Sequence, residues 1–262
     1  MMVFYFCHLT LHDNVFFASR EMGTLYETEK YLHNWALSYA LFESAYIPRP
    51  YRLEGAVAQR PTYLEIDSEQ NLLHLNQQGI YVFPALPLQW TYQVNTFNVS
   101  QAFYHQKSRR LGSGGHILNY PISYGRAKEL AVGSKYRTFI IAPAKTRIPR
   151  WIRLGKWSAK IRVEIIPIPK SGIQRAAGEY VSEHPLNPVD LSKTTRLLLY
   201  NRIVMPPSSL VSQAKLLGDY WEISKPAQWA KLSEWSSLEN LPETICLPRG
   251  VAYGANTLVT TP

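Results

Sequence analysis

Residues 3–11, near the start of the chain, constrain the fold more than any other stretch. They are apolar, aromatic or β-branched at almost every position. Alternation puts Val3, Tyr5, Cys7, Leu9 and Leu11 on one face and Phe4, Phe6 and His8 on the other. A strand that is apolar on both sides predicts a sheet with both faces covered. The 262 residues, 46% of them hydrophobic, supply enough apolar material for such a core and exclude a disordered or fibrous chain.

The remaining segments predict an α+β protein. Thr24 with Glu27 three residues on makes a capping box, and Leu25, Leu32, Trp35, Ala36, Tyr39 and Ala40 recur at helical spacing. A helix opening at Thr24 and stopped by Pro48 and Pro50 is expected. Strands are expected at 62–66, 80–83, 91–99, 137–142, 160–166 and 195–204. Residues 207–217 read as a second amphipathic helix, with Leu210, Val211, Ala214 and Leu217 on one side and Gly218 as its cap. The sheet is expected to be antiparallel or mixed, and no linker divides the chain, so a single domain spans 1–262.

Charge is concentrated in the middle. The formal net charge is +9, yet residues 101–175 alone carry sixteen basic side chains against Glu129 and Glu164. Solvated faces usually intersperse both signs, so this belt calls for a polyanionic partner. Rings and glycines run through it: Phe103, Tyr104, Tyr120, Tyr124, Trp151 and Trp157, with Gly112, Gly114, Gly115, Gly125, Gly133 and Gly155. Cations answer phosphates, planar rings stack on unpaired bases, and glycines allow close backbone approach. A single-stranded nucleic acid is the expected partner. Tyr136 and Phe139, inside an alternating segment, read instead as core. A membrane surface is not expected, because the basic residues do not fall along one amphipathic helix.

Catalytic and metal signals are weak. Cys7 and Cys246 are too few for a disulfide framework or a cysteine zinc site, which fits a reducing, cytoplasmic location. The opening apolar run is too short for a signal or a span. Gly155-Lys156-Trp157 lacks the rest of a phosphate-binding P-loop, and Gly112-Ser113-Gly114-Gly115 is too short for a dinucleotide fingerprint. His8 and His12, four apart in a strand, stand about 13 Å from each other, too far to share an ion. Only His116, beside the glycine loop, is a candidate acid or base, for metal-independent RNA cleavage with Tyr120, Tyr124 or a lysine. Acidic clusters for magnesium are missing from the basic belt. No cofactor, no metal and no catalytic residue are expected.

Two blocks carry a family resemblance. The first is Leu11-His-Asp-Asn-Val-Phe-Phe-Ala-Ser-Arg-Glu-Met-Gly-Thr-Leu-Tyr-Glu-Thr-Glu-Lys-Tyr-Leu-His-Asn-Trp-Ala-Leu, and the second is Arg153-Leu-Gly-Lys-Trp-Ser-Ala-Lys-Ile-Arg-Val. Together they resemble a CRISPR-associated RAMP protein, closest to the Cas-five-like subunit of the type I-D Cascade effector. The resemblance implies a ferredoxin-like, RRM-type core with an inserted β-hairpin thumb and additional C-terminal strands and helix. It also implies a non-catalytic subunit that caps the 5′ handle of the CRISPR guide RNA. Its neighbours would be the Cascade backbone subunit and the Cas-ten-like large subunit, near where PAM-bearing target DNA enters. One relative in another subtype cuts its own precursor, which makes a metal-independent endoribonuclease the alternative.

The expected contacts follow from both readings. The thumb is expected at 101–135, with Lys107, Arg109 and Arg110 on phosphates and His116, Tyr120 and Tyr124 on bases or sugars. Arg126 falls in the same stretch. Arg147, Arg150, Arg153, Lys156 and Lys160 are expected to line a groove beneath it, with Trp151 or Trp157 stacking. Arg20 and Tyr26 are expected to open the first helix, whose amides would hold a phosphate.

Overall fold

The opening segment forms β1 (Met2–Leu11), and Phe4 through Leu9 are all buried. In the computed structural model of the chain, the described residues are 2–42, 53–54, 57–58, 63–64, 71–98, 124–224 and 242–256. After β1 come β2 (Arg20–Met22), β3 (Leu25–Glu27), α1 (Asn34–Leu41) and the two-residue strands β4 (Leu53–Glu54) and β5 (Val57–Ala58). Next are α2 (Leu73–Gln77), β6 (Tyr81–Val82), β7 (Leu86–Gln89), β8 (Tyr92–Asn98), β9 (Tyr124–Leu130) and β10 (Lys135–Pro143). The rest is β11 (Trp151–Leu154), β12 (Ala159–Pro167), β13 (Ile173–Ser182), β14 (Arg196–Ile203), β15 (Leu210–Ser224) and β16 (Thr244–Pro248).

β1 stands inside the main sheet, whose order is β11-β12-β1-β10-β6, with β7 also pairing β10. Every pairing in it is antiparallel. Taken in chain order, the four strands β1, β6, β10 and β12 lie side by side as 4-1-3-2. Helix α1 packs against β11 and β6 and buries Trp35, Leu37 and Leu41 in the core. A second sheet, β13-β15-β14 with β16 on β15, covers the Phe4 end of the main sheet. Phe4 meets Trp221 edge-on at 5.2 Å, and Phe139 meets His184 at 5.2 Å. A third sheet, β2-β3-β9-β8, includes the one parallel pair among the described residues, β3 with β9.

Expected strands at 80–83, 91–99, 137–142, 160–166 and 195–204 correspond to β6, β8, β10, β12 and β14. Tyr136 and Phe139 are both fully buried, as expected of core residues. Of the expected strand at 62–66 only 63–64 are described, and they make a turn.

Both helix expectations change. Residues 25–27 are strand, because the Arg126 amide donates to the Thr24 carbonyl and the Thr28 amide donates to the Lys128 carbonyl, so β9 takes the backbone groups a helix would use. The helix begins at Asn34, capped by His33, whose Nδ1 accepts from the Trp35 amide. Residues 207–217 lie mostly in β15. Leu210, Val211, Ala214 and Leu217 satisfy a helical period, but Ser212, Ala214 and Leu216 satisfy a period of two, and pairing with β13, β14 and β16 selects the strand. Gly218 caps nothing and faces Gly178 across the β13–β15 ladder. Among the described residues the protein is therefore mostly β, with α-helices of only eight and five residues and two three-residue 3-10 turns. Of the expected thumb, residues 101–123 lie outside the described residues, while 124–130 form β9, paired along its length with β8.

Candidate functional site

Register across the main sheet aligns five side chains abreast. Trp151 on β11 stands opposite Arg162 on β12, Arg162 opposite Thr10 on β1, Thr10 opposite Lys135 on β10, and Lys135 opposite Gln89 on β7. At about 4.8 Å per strand the row is about 19 Å long. Directly opposed residues share a face, so the row lies on the side that also carries His8, Phe6 and Phe4. Along β1 that side is graded. Phe4 and Phe6 are covered by aromatic neighbours, His8 is buried beside Glu164, Thr10 is partly open, and His12 beyond the strand is exposed.

The open end of this face is cationic and aromatic. Arg153 stands opposite Lys160, one step along from Trp151 and Arg162. Lys160 Nζ lies 4.3 Å from the centre of the Trp151 ring, and the His12 ring meets the same indole edge-on at 4.9 Å. Trp151 keeps 45% of its surface exposed. Arg162 bonds Glu164 at 2.7 Å, and Arg153 lies 3.7 Å from Asp13. Among the described residues neither Lys160 nor Lys135 forms an ion pair. A cleft of about 1220 Å³ runs from this edge toward α1, lined by Arg147, Trp151, Arg153 and Lys160 on one side and Tyr39 and Leu41 on the other. Such a surface can neutralise phosphates and stack a base.

A second aromatic group surrounds the stem of the β8–β9 pair. Trp157 stacks on Phe16 with centroids 4.4 Å apart, Phe97 meets Trp157 at 6.2 Å, and Tyr26 lies 5.8 Å from Phe97. Two glycines serve this packing rather than an incoming strand. A Cβ on Gly125 would come within 2.5 Å of the Phe97 ring, and one on Gly155 within 2.8 Å of the Phe16 carbonyl. Trp157 remains 49% exposed.

The expected site thus separates into parts. Trp151, Arg153 and Lys160 come together, with Arg147 at the same cleft. Trp157 and Tyr26 join at the β8–β9 stem, where Arg126 is exposed on β9. Arg150 is exposed just before β11, and the Lys156 amide donates to the Phe16 carbonyl. Arg20 and Tyr26 open no helix: they sit in the β2–β3 pair, and Arg20 is bound to Glu29 at 2.6 Å. The helix-held phosphate expected there is therefore withdrawn. Lys107, Arg109, Arg110, His116, Tyr120 and the Tyr124 side chain lie outside the described residues.

Sequence reasoning missed Arg162, Lys135, Thr10, His12 and Gln89. Strand parity was the available signal for Arg162, two residues from Lys160 and so on the same face. The others are united only by cross-strand register. Among the described residues no three His, Cys, Asp or Glu side chains are placed to hold a metal ion. No helix among them is long and apolar enough to cross a membrane.

Residues 2–256 match the family described as type I-D CRISPR-associated protein Cas5/Csc1. No curated protein sequence matches the chain. Among solved structures, one similar chain comes from the cryo-EM structure of the type III-B Cmr-beta bound to cognate target RNA and AMPPnP. It is 8% identical with a TM-score of 0.42, over 81% of this chain and 86% of that one. Another is a CRISPR protein from Archaeoglobus fulgidus, 8% identical with a TM-score of 0.38, over 95% of this chain and all of the other (100%).

Proposed function

The chain belongs to the type I-D CRISPR-associated Cas5/Csc1 family, and from that premise we propose that it is a non-catalytic subunit of a type I-D effector complex that grips the 5′ handle of the guide RNA. The observation that carries this reading is the open end of the main sheet, where Trp151, Arg153, Lys160 and Arg162 stand on the edge strand β11 and its neighbour β12. A handle is single-stranded, so it is met by rings on its bases and cations on its backbone. The 4-1-3-2 order of β12, β1, β10 and β6 supports a ferredoxin-like core. The antiparallel β8–β9 pair supports a thumb at 101–135, the stretch that includes β9. The backbone subunit and the Cas-ten-like large subunit are the partners this reading assigns, close to the PAM end of target DNA.

Handle-RNA binding by the full chain, measured across salt, tests the proposal. Trp151→Ala and Lys160→Glu weaken binding at least tenfold, as does Arg109→Ala with Arg110→Ala, whereas Lys170→Glu leaves it unchanged. If six cations contact phosphate, log affinity falls with log salt at a slope of about −4. Labelled repeat RNA incubated with the protein in EDTA stays intact. Unaltered binding in the Trp151 and Lys160 variants defeats the assigned surface, and cleavage in EDTA defeats the non-catalytic role.

A further inference from the structure

A second cationic site lies away from the Trp151 edge, in the cleft between the main sheet and the C-terminal sheet. The cleft has a volume of about 710 Å³, and Arg20, Lys30, Arg137 and Arg202 line it together with Glu29 and Glu183. β10 brings Arg137 there by pairing it with His8 on β1 and Leu86 on β7. Arg202 is exposed on β14, on the opposite wall.

The charges in the cleft do not balance. Arg20 is matched by Glu29 at 2.6 Å. That leaves Lys30, Arg137 and Arg202 against Glu183, two positive charges in excess. The Lys30 ammonium rests 5.4 and 5.5 Å from the Tyr31 and Trp90 ring centres, which steadies it without neutralising it. Arg137 is the decisive member: only 3% exposed, with a buried Nε that has no hydrogen-bond partner. Burial lowers its pKa to about 10, Glu183 offsets this only in part, and no carboxylate among the described residues lies within ion-pair distance of it. A buried cation with an unused donor is costly unless an anion completes it.

We propose that this cleft binds a phosphate monoester, with Arg137 and Arg202 donating to the phosphate oxygens and Lys30 completing the charge match. A monoester carries close to two negative charges at neutral pH, which equals the excess, and guanidinium forks fit its oxygens. The volume lies in the range of small-molecule sites. Tyr31 and Ile203 on the walls give the organic portion an apolar surface. The cleft shares no lining residue with the Trp151 cleft, and the proposal does not rest on the guide-RNA reading.

Calorimetric titration of the full chain with AMP, inorganic phosphate and adenosine tests this. AMP binds, inorganic phosphate competes with it, and adenosine does neither. Arg202→Glu and Lys30→Glu, both changes at the cleft mouth, each weaken AMP at least tenfold, and Arg137→Met abolishes binding. Trp151→Ala leaves AMP affinity unchanged, so the site stands or falls apart from the handle surface. No AMP binding, equal binding of adenosine, or full affinity in both Arg202→Glu and Lys30→Glu overturns the proposal.

Discussion

Lys160 and Trp151 are diagonal neighbours across the β11–β12 pair, and the Lys160 ammonium sits 4.3 Å from the centre of the indole ring. The contact follows from register. Trp151 faces Arg162 and Arg153 faces Lys160, so the Trp151 ring has one β12 cation directly opposite and another on the diagonal. At an exposed site a cation–π pair contributes about 0.5–1 kcal/mol, too little to matter much to folding. Its consequence is orientation: the lysine holds the indole on an open sheet face beside a row of further cations.

Trp151→Ala therefore separates binding from stability. Loss of a base-stacking ring costs about 1–3 kcal/mol of single-strand affinity, while an exposed substitution away from the core changes folding stability by about 0.5 kcal/mol or less. Handle-RNA titration alongside urea denaturation reads both. A large drop in denaturation midpoint would mean that Trp151 serves the fold instead.

Buried histidines set the acid limit of the fold. Burial lowers the pKa of His33 to about 3, despite its contact with Ser208. Burial, then the nearby Arg137 charge, drives His184 well below its ordinary value. Both are bases with depressed folded-state values, so below about pH 6.5 the unfolded chain takes up more protons than the folded one. Stability is then full above that pH and is lost as pH falls. For His33 alone the loss at pH 5 is about 2 kcal/mol, and His184 adds in the same direction. Denaturation midpoints measured from pH 7.5 to 5 should fall, because the two histidines together outweigh the opposing gain of about 1 kcal/mol from the raised carboxyl of Asp190, and a flat profile would show that the rings are not held neutral.

How much of this was legible in the chain depends on range. β1 announced itself because its composition is local: Phe4 through Leu9 need no knowledge of a partner to demand burial. Thr24 and Glu27 made a valid capping box, yet Leu25 to Glu27 became strand, because β9, a hundred residues away, claims the Thr24 carbonyl. Trp151, Arg153 and Lys160 were visible as rings and cations in a basic belt. The alignment of Trp151 with Arg162, Thr10, Lys135 and Gln89 was not, since only the pairing of five strands puts these in one row. Gly155 was noticed but given the wrong neighbour: the chain that approaches it is its own, at Phe16.

That glycine gives a graded prediction. Gly155 has φ +80° in the β11–β12 turn, and a Cβ there would meet the Phe16 carbonyl at 2.8 Å. The same carbonyl accepts from the Lys156 amide at 2.8 Å, so it is not free to retreat. Gly133 has φ +84° but nothing within 4 Å of its would-be Cβ. Gly133→Ala carries backbone strain alone, about 1–2 kcal/mol, whereas Gly155→Ala adds a steric clash and costs about 1–3 kcal/mol more. Phe16 stacks on Trp157, so only the Gly155 variant should also shift tryptophan fluorescence. Equal destabilisation by the two substitutions would contradict the close approach at Phe16.

Asp190 supplies the last prediction. Its buried carboxylate accepts from Asn34 Nδ2 at 2.7 Å, Trp35 Nε1 at 2.9 Å, the Gly254 amide at 2.9 Å and the Tyr81 hydroxyl at 3.2 Å. These tie α1, β6 and the C-terminal segment to one residue. Burial nevertheless outweighs the four donors and raises the carboxyl pKa to about 6. Asp190→Asn turns an NH₂ group toward donors and leaves at least one of them unsatisfied, for a loss of about 1–3 kcal/mol. The pH dependence carries its own sign. A raised acid takes up its proton more readily in the folded state, so the wild type loses stability from this group as pH rises through the interval between the unfolded value and about 6. The asparagine variant cannot titrate, and the histidine contributions cancel between the two chains. The cost of Asp190→Asn should therefore be about 1 kcal/mol larger at pH 5 than at pH 7. Urea denaturation of both chains at the two pH values measures it, and a cost that grows toward pH 7 would mean that the four donors, not burial, set the charge state of Asp190.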